Sequence, residues 1–275
     1  MIRPSFPGPK GDIPEINLRL PSVVMDDEFL NLREYQTRVS LEGDGVLSEL
    51  ILHAQLEANN ALKVIQNSNY SGGIERVLLN YIDEIGRGIE SINEVRLGVA
   101  ISNLDFHCSA IIKEEYASAE IMAFSSQIMS VNSMIEKYLP NWQKLQTLRN
   151  SIEFGENDII ESKNIYNSVI HTLEEAADLV SPELVSELKY FDSENTEILE
   201  AEREHAFLKV SVINNLLISL IAESRRKDKK KSNWIVLYLG NRIFEAARKL
   251  SSTSIGNRIL GWVRYTSEAI LNIFK

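Results

Sequence analysis

Between Pro21 and Pro140 the chain runs without a proline, and over the second half of that stretch its apolar residues recur in sevens. Leu78, Ile85, Ile92 and Val99 fall one heptad apart, with Ile82 and Ile89 in the turns between them. Ile121, Phe124, Ile128, Val131 and Ile135 alternate in steps of three and four, and Ile159, Tyr166, Leu173 and Val180 keep the same period. A side chain every 3.5 residues draws an apolar stripe down one helical face, which is stable in water when another helix covers it. The spacing predicts an all-α fold, an elongated multi-helix bundle with long coiled-coil-like helices. Strand-like alternation is nearly absent.

Local chemistry marks the expected boundaries. Asp26 or Asp27 reads as the cap of a helix through about residue 40, and Glu42-Gly43-Asp44-Gly45 as the turn before a second helix ending near residue 67. Gly72-Gly73 opens a run from 74 to 139 that Gly86, Gly88 and Gly98 could kink or break before Pro140 ends it. A shorter helix is expected over about 141–153, and Asp158 reads as the cap of the next one, through Val180. Ser181-Pro182 has the form of an N-cap followed by proline at the first helical position. From there the pattern allows helix to about Ser224, with the charged stretch Asp192–Glu204 facing solvent.

Three regions differ in composition. Five of the seven prolines lie in residues 1–22, which reads as an extended, proline-rich N-terminal arm. Residues 23–224 form the acidic helical bundle. Residues 225–275 contain twelve Lys or Arg against three Asp or Glu, a net +9 in a chain whose total is −10, so the preceding 224 residues carry −19. This basic module repeats a phrase: Gly240-Asn241-Arg242-Ile243-Phe244 returns as Gly256-Asn257-Arg258-Ile259-Leu260. Ile255, Ile259, Trp262, Val263, Thr266, Ile270 and Phe274 follow helical spacing, which makes the module a short amphipathic helical unit. Arg242, Ile243, Arg258, Ile259, Trp262, Val263 and Arg264 are its candidate contact residues. The residues from Ile121 to Ile135 named above are the candidate seam.

Catalytic chemistry is sparse. Glu202-Arg203-Glu204-His205 holds a Glu-x-x-His, the spacing that sets two metal ligands on one helical face in di-iron bundles. That site requires a second such pair and two further glutamates; Glu49 and His53 have the wrong spacing, and His107 and His171 have no glutamate three residues earlier. The stretch reads as a charged helix face. His107 and Cys108 are neighbours, so on a helix they point about 100° apart. Gly72-Gly73 and Gly43-x-Gly45 lack the Lys-Ser/Thr of a phosphate loop, and no Gly-x-Ser-x-Gly, His-Glu-x-x-His or Cys-x-x-Cys occurs. No catalytic, cofactor-binding or metal-ligating residue is assigned, and no cofactor is expected.

The lone Cys108 excludes an internal disulfide. The N-terminus lacks the apolar core of a secretory signal, and the uncharged run Val210–Ala222 is short of the roughly 20 residues of a bilayer span. Cytoplasmic location is the default expectation, with membrane association or non-classical export as alternatives. The function expected is a non-enzymatic interaction or assembly subunit, a scaffold or adaptor whose partner is a protein or further copies of itself. Long kinked helices with a separate apolar segment resemble in outline the α-helical pore-forming toxins. That architectural resemblance, which carries no residue motif, implies a membrane-active protein that meets an anionic membrane surface. A helical nucleic-acid-binding protein is the third expectation; the acidic body would repel that partner.

Overall fold

A heptad stripe can be satisfied by one long coil or by several short helices packed around a common centre, and the second solution is the one adopted. The computed structural model describes residues 19–26, 29–35, 43–67, 73–114, 117–150, 154–192, 199–224 and 238–243. Its chain divides into two compact units, one of residues 1–35 with 153–275 and the other of residues 36–152. Among the described residues the fold is all-α, apart from one two-stranded hairpin.

The second unit holds α1 (Asp44–Asn67), α2 (Ile74–Gly86), α3 (Glu94–Lys113), α4 (Ala119–Ile135) and α5 (Pro140–Asn150). The run expected from 74 to 139 is therefore three helices. Gly86 closes α2, and Gly88 turns the chain at φ +78°, a conformation that L side chains rarely adopt. Asn93 then caps α3 by accepting from the backbone N–H groups of Val95 and Arg96, and Ser118 caps α4 by accepting from Ile121. The stripe survives these breaks, with Leu78, Ile85, Ile92 and Val99 all buried. Gly98 has a different role from the expected kink. It lies inside α3 and gives room to the buried indole of Trp142; a Cβ there would stand 2.1 Å from Trp142 Cδ2. The same indole donates through Nε1 to Glu136 Oε1 at 3.0 Å. Glu94 ties the start of α5 to α3, accepting at 2.8 Å from both the backbone N–H and the Nδ2 of Asn141.

The first unit holds β1 (Val23–Asp26), β2 (Phe29–Leu32), α6 (Glu156–Glu175), α7 (Pro182–Asp192) and α8 (Leu199–Ser224). The hairpin corrects the expectation of a helix from Asp26. Antiparallel pairing runs from Val23 with Leu32 to Asp26 with Phe29, so Asp26 is the last residue of a strand instead of a helix cap, and Asp27 lies outside the described residues. Both hairpin edges are covered. Leu30 bonds the chain at Leu179 and Ser181, while side chains of α8 take the other edge. Ser181 caps α7, its Oγ accepting from Leu184 N–H at 3.4 Å, with Pro182 as the first helical residue. Asp158 sits in the first turn of α6 and accepts from the Gly155 N–H at 2.9 Å. Of the helix expected to run to about Ser224, α7 and α8 are described, and residues 193–198 between them lie outside the described residues. Within the stretch expected to face solvent, Arg203 is exposed, whereas Ala201 and Glu204 are buried.

Candidate interaction surfaces

In the second unit a polar chain crosses the core between three helices. Tyr81 of α2 donates to Asn132 Oδ1 of α4 at 2.6 Å, and Asn132 Nδ2 donates to Asp105 Oδ1 of α3 at 2.6 Å. Burial pushes the Asp105 carboxyl up to about 7; the Asn132 hydrogen bond opposes that rise and the nearby Glu136 charge adds to it. Burial also pushes the Cys108 thiol up to about 12, although Ser125 beside it acts in the opposite sense. A thiol held protonated in this way is a packed core group, not a nucleophile. His107 is half-buried, and burial together with Arg76 lowers its affinity for a proton. Glu84 and Arg96 form a second buried pair, Arg96 Nε donating to Glu84 Oε1 at 3.0 Å. Burial raises the Glu84 carboxyl and Arg96 works against that rise.

The outward side of the same unit is less ordinary. Between Glu120 and Glu136, α4 has no charged residue, yet Ala123, Ser126, Gln127, Ser130, Ser133 and Met134 are exposed along it. Leu52 and Leu56 of neighbouring α1 are 58% and 60% exposed, unusually high for leucine in a packed helix. Of the five seam residues, Ile121, Ile128, Val131 and Ile135 are buried, whereas Phe124 is half-buried and opens onto a hollow of about 220 Å³ between α1 and α4. Ala61, Ile65 and Ile121 form its floor and Val64 lies beside Phe124. Glu57 stands on the α1 bank and Glu120 on the α4 bank.

In the first unit, Asn215, Ser219 and Glu223 recur every four residues and line one stripe of α8. Asn215 Nδ2 donates to the Leu20 and Pro21 carbonyls, Ser219 Oγ accepts from Val23 N–H at 3.0 Å, and Glu223 Oε2 accepts from Met25 N–H at 3.2 Å. Glu223 Oε1 also receives Arg33 Nη2 at 2.8 Å. The stripe holds alternate backbone groups of β1, and the last residues of the proline-rich arm, Leu20 to Ser22, are buried. Nearby, the buried Lys209 ammonium pairs with Asp192 Oδ1 at 2.7 Å and lies 5.8 Å from the Tyr166 ring centroid.

The first copy of the repeated phrase is docked. Residues 238–243 are helical, with Leu239 and Ile243 buried, and Arg242 Nη1 reaches Glu175 Oε2 at the end of α6 at 2.7 Å while its guanidinium lies over the Tyr238 ring. Arg258, Ile259, Trp262, Val263 and Arg264 lie outside the described residues. Of the Glu-x-x-His pair, His205 is buried and Glu202 half-buried, and among the described residues no three His, Cys, Asp or Glu side chains converge. The hollow beside Phe124, the uncharged face of α4 and the Asn215–Ser219–Glu223 stripe are features the sequence reading missed. The signals were present as a fifteen-residue gap between charges and a four-residue repeat of polar residues inside an apolar run. Comparison of the chain with protein-family models, with curated proteins and with solved structures finds no match.

Proposed function

We propose that the chain is a non-enzymatic interaction or assembly subunit whose contact surface is the α1–α4 face of residues 36–152. The observation that carries this reading is the conjunction of an uncharged exposed α4 with two α1 leucines that are more than half exposed and a hollow at Phe124. Protein surfaces normally scatter charge, and contiguous apolar exposure marks contact sites. The depletion of charge at the centre with Glu57 and Glu120 at the edges has the layout of an interface core and rim. A photo-cross-linking residue placed at Gln127, in cells of the source, should give a discrete protein adduct, and Ala123→Arg should abolish it. A chain that gives no adduct at Gln127, with its fold intact, would refute the reading.

A membrane-active role is the second reading, favoured by one observation. Helix α3 is 20 residues long with a mean hydropathy of 1.2 over its most apolar window, long and apolar enough by length and composition to cross a bilayer. It is also the central helix of its unit, with 61% of that window buried.

A further inference from the structure

The surface just described has the shape for a particular kind of guest. The hollow of about 220 Å³ has roughly the room of one large aromatic side chain, and its lining is apolar apart from Asn60, Gln127 and the two bank glutamates. Tryptophan is among the residues most enriched at interface hot spots, which sit in well-packed, desolvated pockets. Of the chain's three tryptophans, Trp142 fills the core beside Gly98; Trp262 belongs to an amphipathic sequence, where Ile255, Ile259 and Val263 share its helical side. Arg258 precedes Trp262 by four residues, so on a helix both project from one face. A guest seated by its indole would bring that guanidinium toward a bank carboxylate, Glu57 or Glu120. The wider charge agrees, because residues 225–275 carry +9 and the rest of the chain −19.

We infer that the hollow between α1 and α4 receives residues 255–270 of a second copy of this chain, with Trp262 against Phe124 and Arg258 on the acidic banks. The inference rests on the interaction-subunit reading and names its partner. Hollow and guest segment belong to different compact units. Exchange between two copies therefore makes the contact twice and closes a symmetric pair, the commonest arrangement of homo-oligomers.

The test uses the full-length chain. Sedimentation over a concentration series should show a monomer–dimer equilibrium. Trp262→Ala should weaken it at least about tenfold, at all salt concentrations, since apolar burial is not screened. Glu57→Arg with Glu120→Arg should weaken it about tenfold at low salt, and adding Arg258→Glu should restore most of the loss. Mixing a Gln127→Cys chain with a Gly261→Cys chain should give a cross-linked pair with a short bis-maleimide, and Cys108 is buried and should not compete. A chain that stays monomeric throughout, or a cross-link that forms only within a doubly substituted single chain, would overturn the inference. Dimers unaffected by Trp262→Ala and by the charge reversals would do the same. None of these results touches the interaction-subunit reading, which stands or falls by the adduct at Gln127.

Discussion

The half-buried carboxyl of Asp105 should make the second unit less stable as pH rises, and neutralising it should remove that dependence. In the folded chain its pKa is about 7 and in the unfolded chain 3.8, because the side chain leaves water for the space between α3 and α4. Between those values the native state holds a proton that the unfolded chain has lost. Stability therefore declines as pH rises from about 4 to about 7, and above that the full cost of the buried charge is present. At about 1.36 kcal/mol per pKa unit, raising the pH from about 5 to about 8 should remove at most about 3 kcal/mol through this group. Asp105→Asn keeps an oxygen for the Asn132 Nδ2 hydrogen bond and leaves no charge to bury. The stability difference between variant and native chain should shift in the variant's favour by about 2 to 3 kcal/mol between about pH 5 and about pH 8. Urea unfolding followed by Trp142 fluorescence, in chains with Trp234→Phe and Trp262→Phe, isolates the second unit, since Trp142 lies in its core. Other titrating groups contribute equally to both proteins and cancel in the difference. Parallel pH profiles for the two chains would refute the reasoning.

Gly98→Ala should destabilise the second unit by about 1 to 3 kcal/mol or more, because the new methyl overlaps the Trp142 ring and must displace it; a shifted Trp142 emission maximum together with a lower urea midpoint checks this. Ile128→Ala in the buried seam should cost about 2 to 5 kcal/mol in the same assay. In the first unit, Ser219→Ala strands the buried Val23 N–H and should cost about 1 to 3 kcal/mol, with hydrogen exchange at Val23 accelerating before that of α6. Glu175→Ala should lower stability by no more than about 1 kcal/mol, because its pair with Arg242 is half-exposed, and thermal melts in low and high salt would show whether even that remains.

The fold class was legible because helical periodicity is a local property. Leu78, Ile85, Ile92 and Val99 carry it through two breaks, and Ser181-Pro182 marks a helix start from sequence alone. What the sequence concealed depends on tertiary partners. Val23-Val24-Met25 and Phe29-Leu30 are too short for alternation to register, and they become a hairpin because α8 and the chain at Leu179 and Ser181 satisfy both edges. Gly98 resembles any helix-weakening glycine until Trp142 is seen against it. Ser219 and Asn215 look like accidents within an apolar run until their spacing meets the backbone of β1 and the residues before it. For the candidate surface, sequence located the seam but not its opening. Phe124 obeys the same heptad as Ile128, and only the packing of α1 against α4 leaves its ring at the edge of a hollow.

The polar groups of α3 also bear on whether this helix could leave its bundle for a bilayer. From Val95 to Ile112 it has eight Leu, Ile, Val or Phe residues, worth at best about −5 kcal/mol on an insertion scale where each contributes about −0.3 to −0.6. Asp105 lies near the middle of that stretch and, when charged, takes back about 3 kcal/mol; Arg96, nearer one end, takes back a smaller amount. Extraction also separates Arg96 from Glu84 and takes Asp105 from Asn132 Nδ2, leaving buried polar groups of α2 and α4 without these partners in the bundle that remains. At neutral pH the balance favours α3 staying in place. Protonation of Asp105 removes one of the two charges but also stabilises the native bundle, so acidification works in both directions. The expected outcome is that full-length protein mixed with phosphatidylserine-containing vesicles at pH 7.4 keeps Trp142 emission and Cys108 thiol reactivity unchanged. Transfer of Trp142 to a lipid-quenchable environment under those conditions would mean that the gain from releasing α3 exceeds everything the core contacts supply, and would move the membrane-active reading ahead of the interaction subunit.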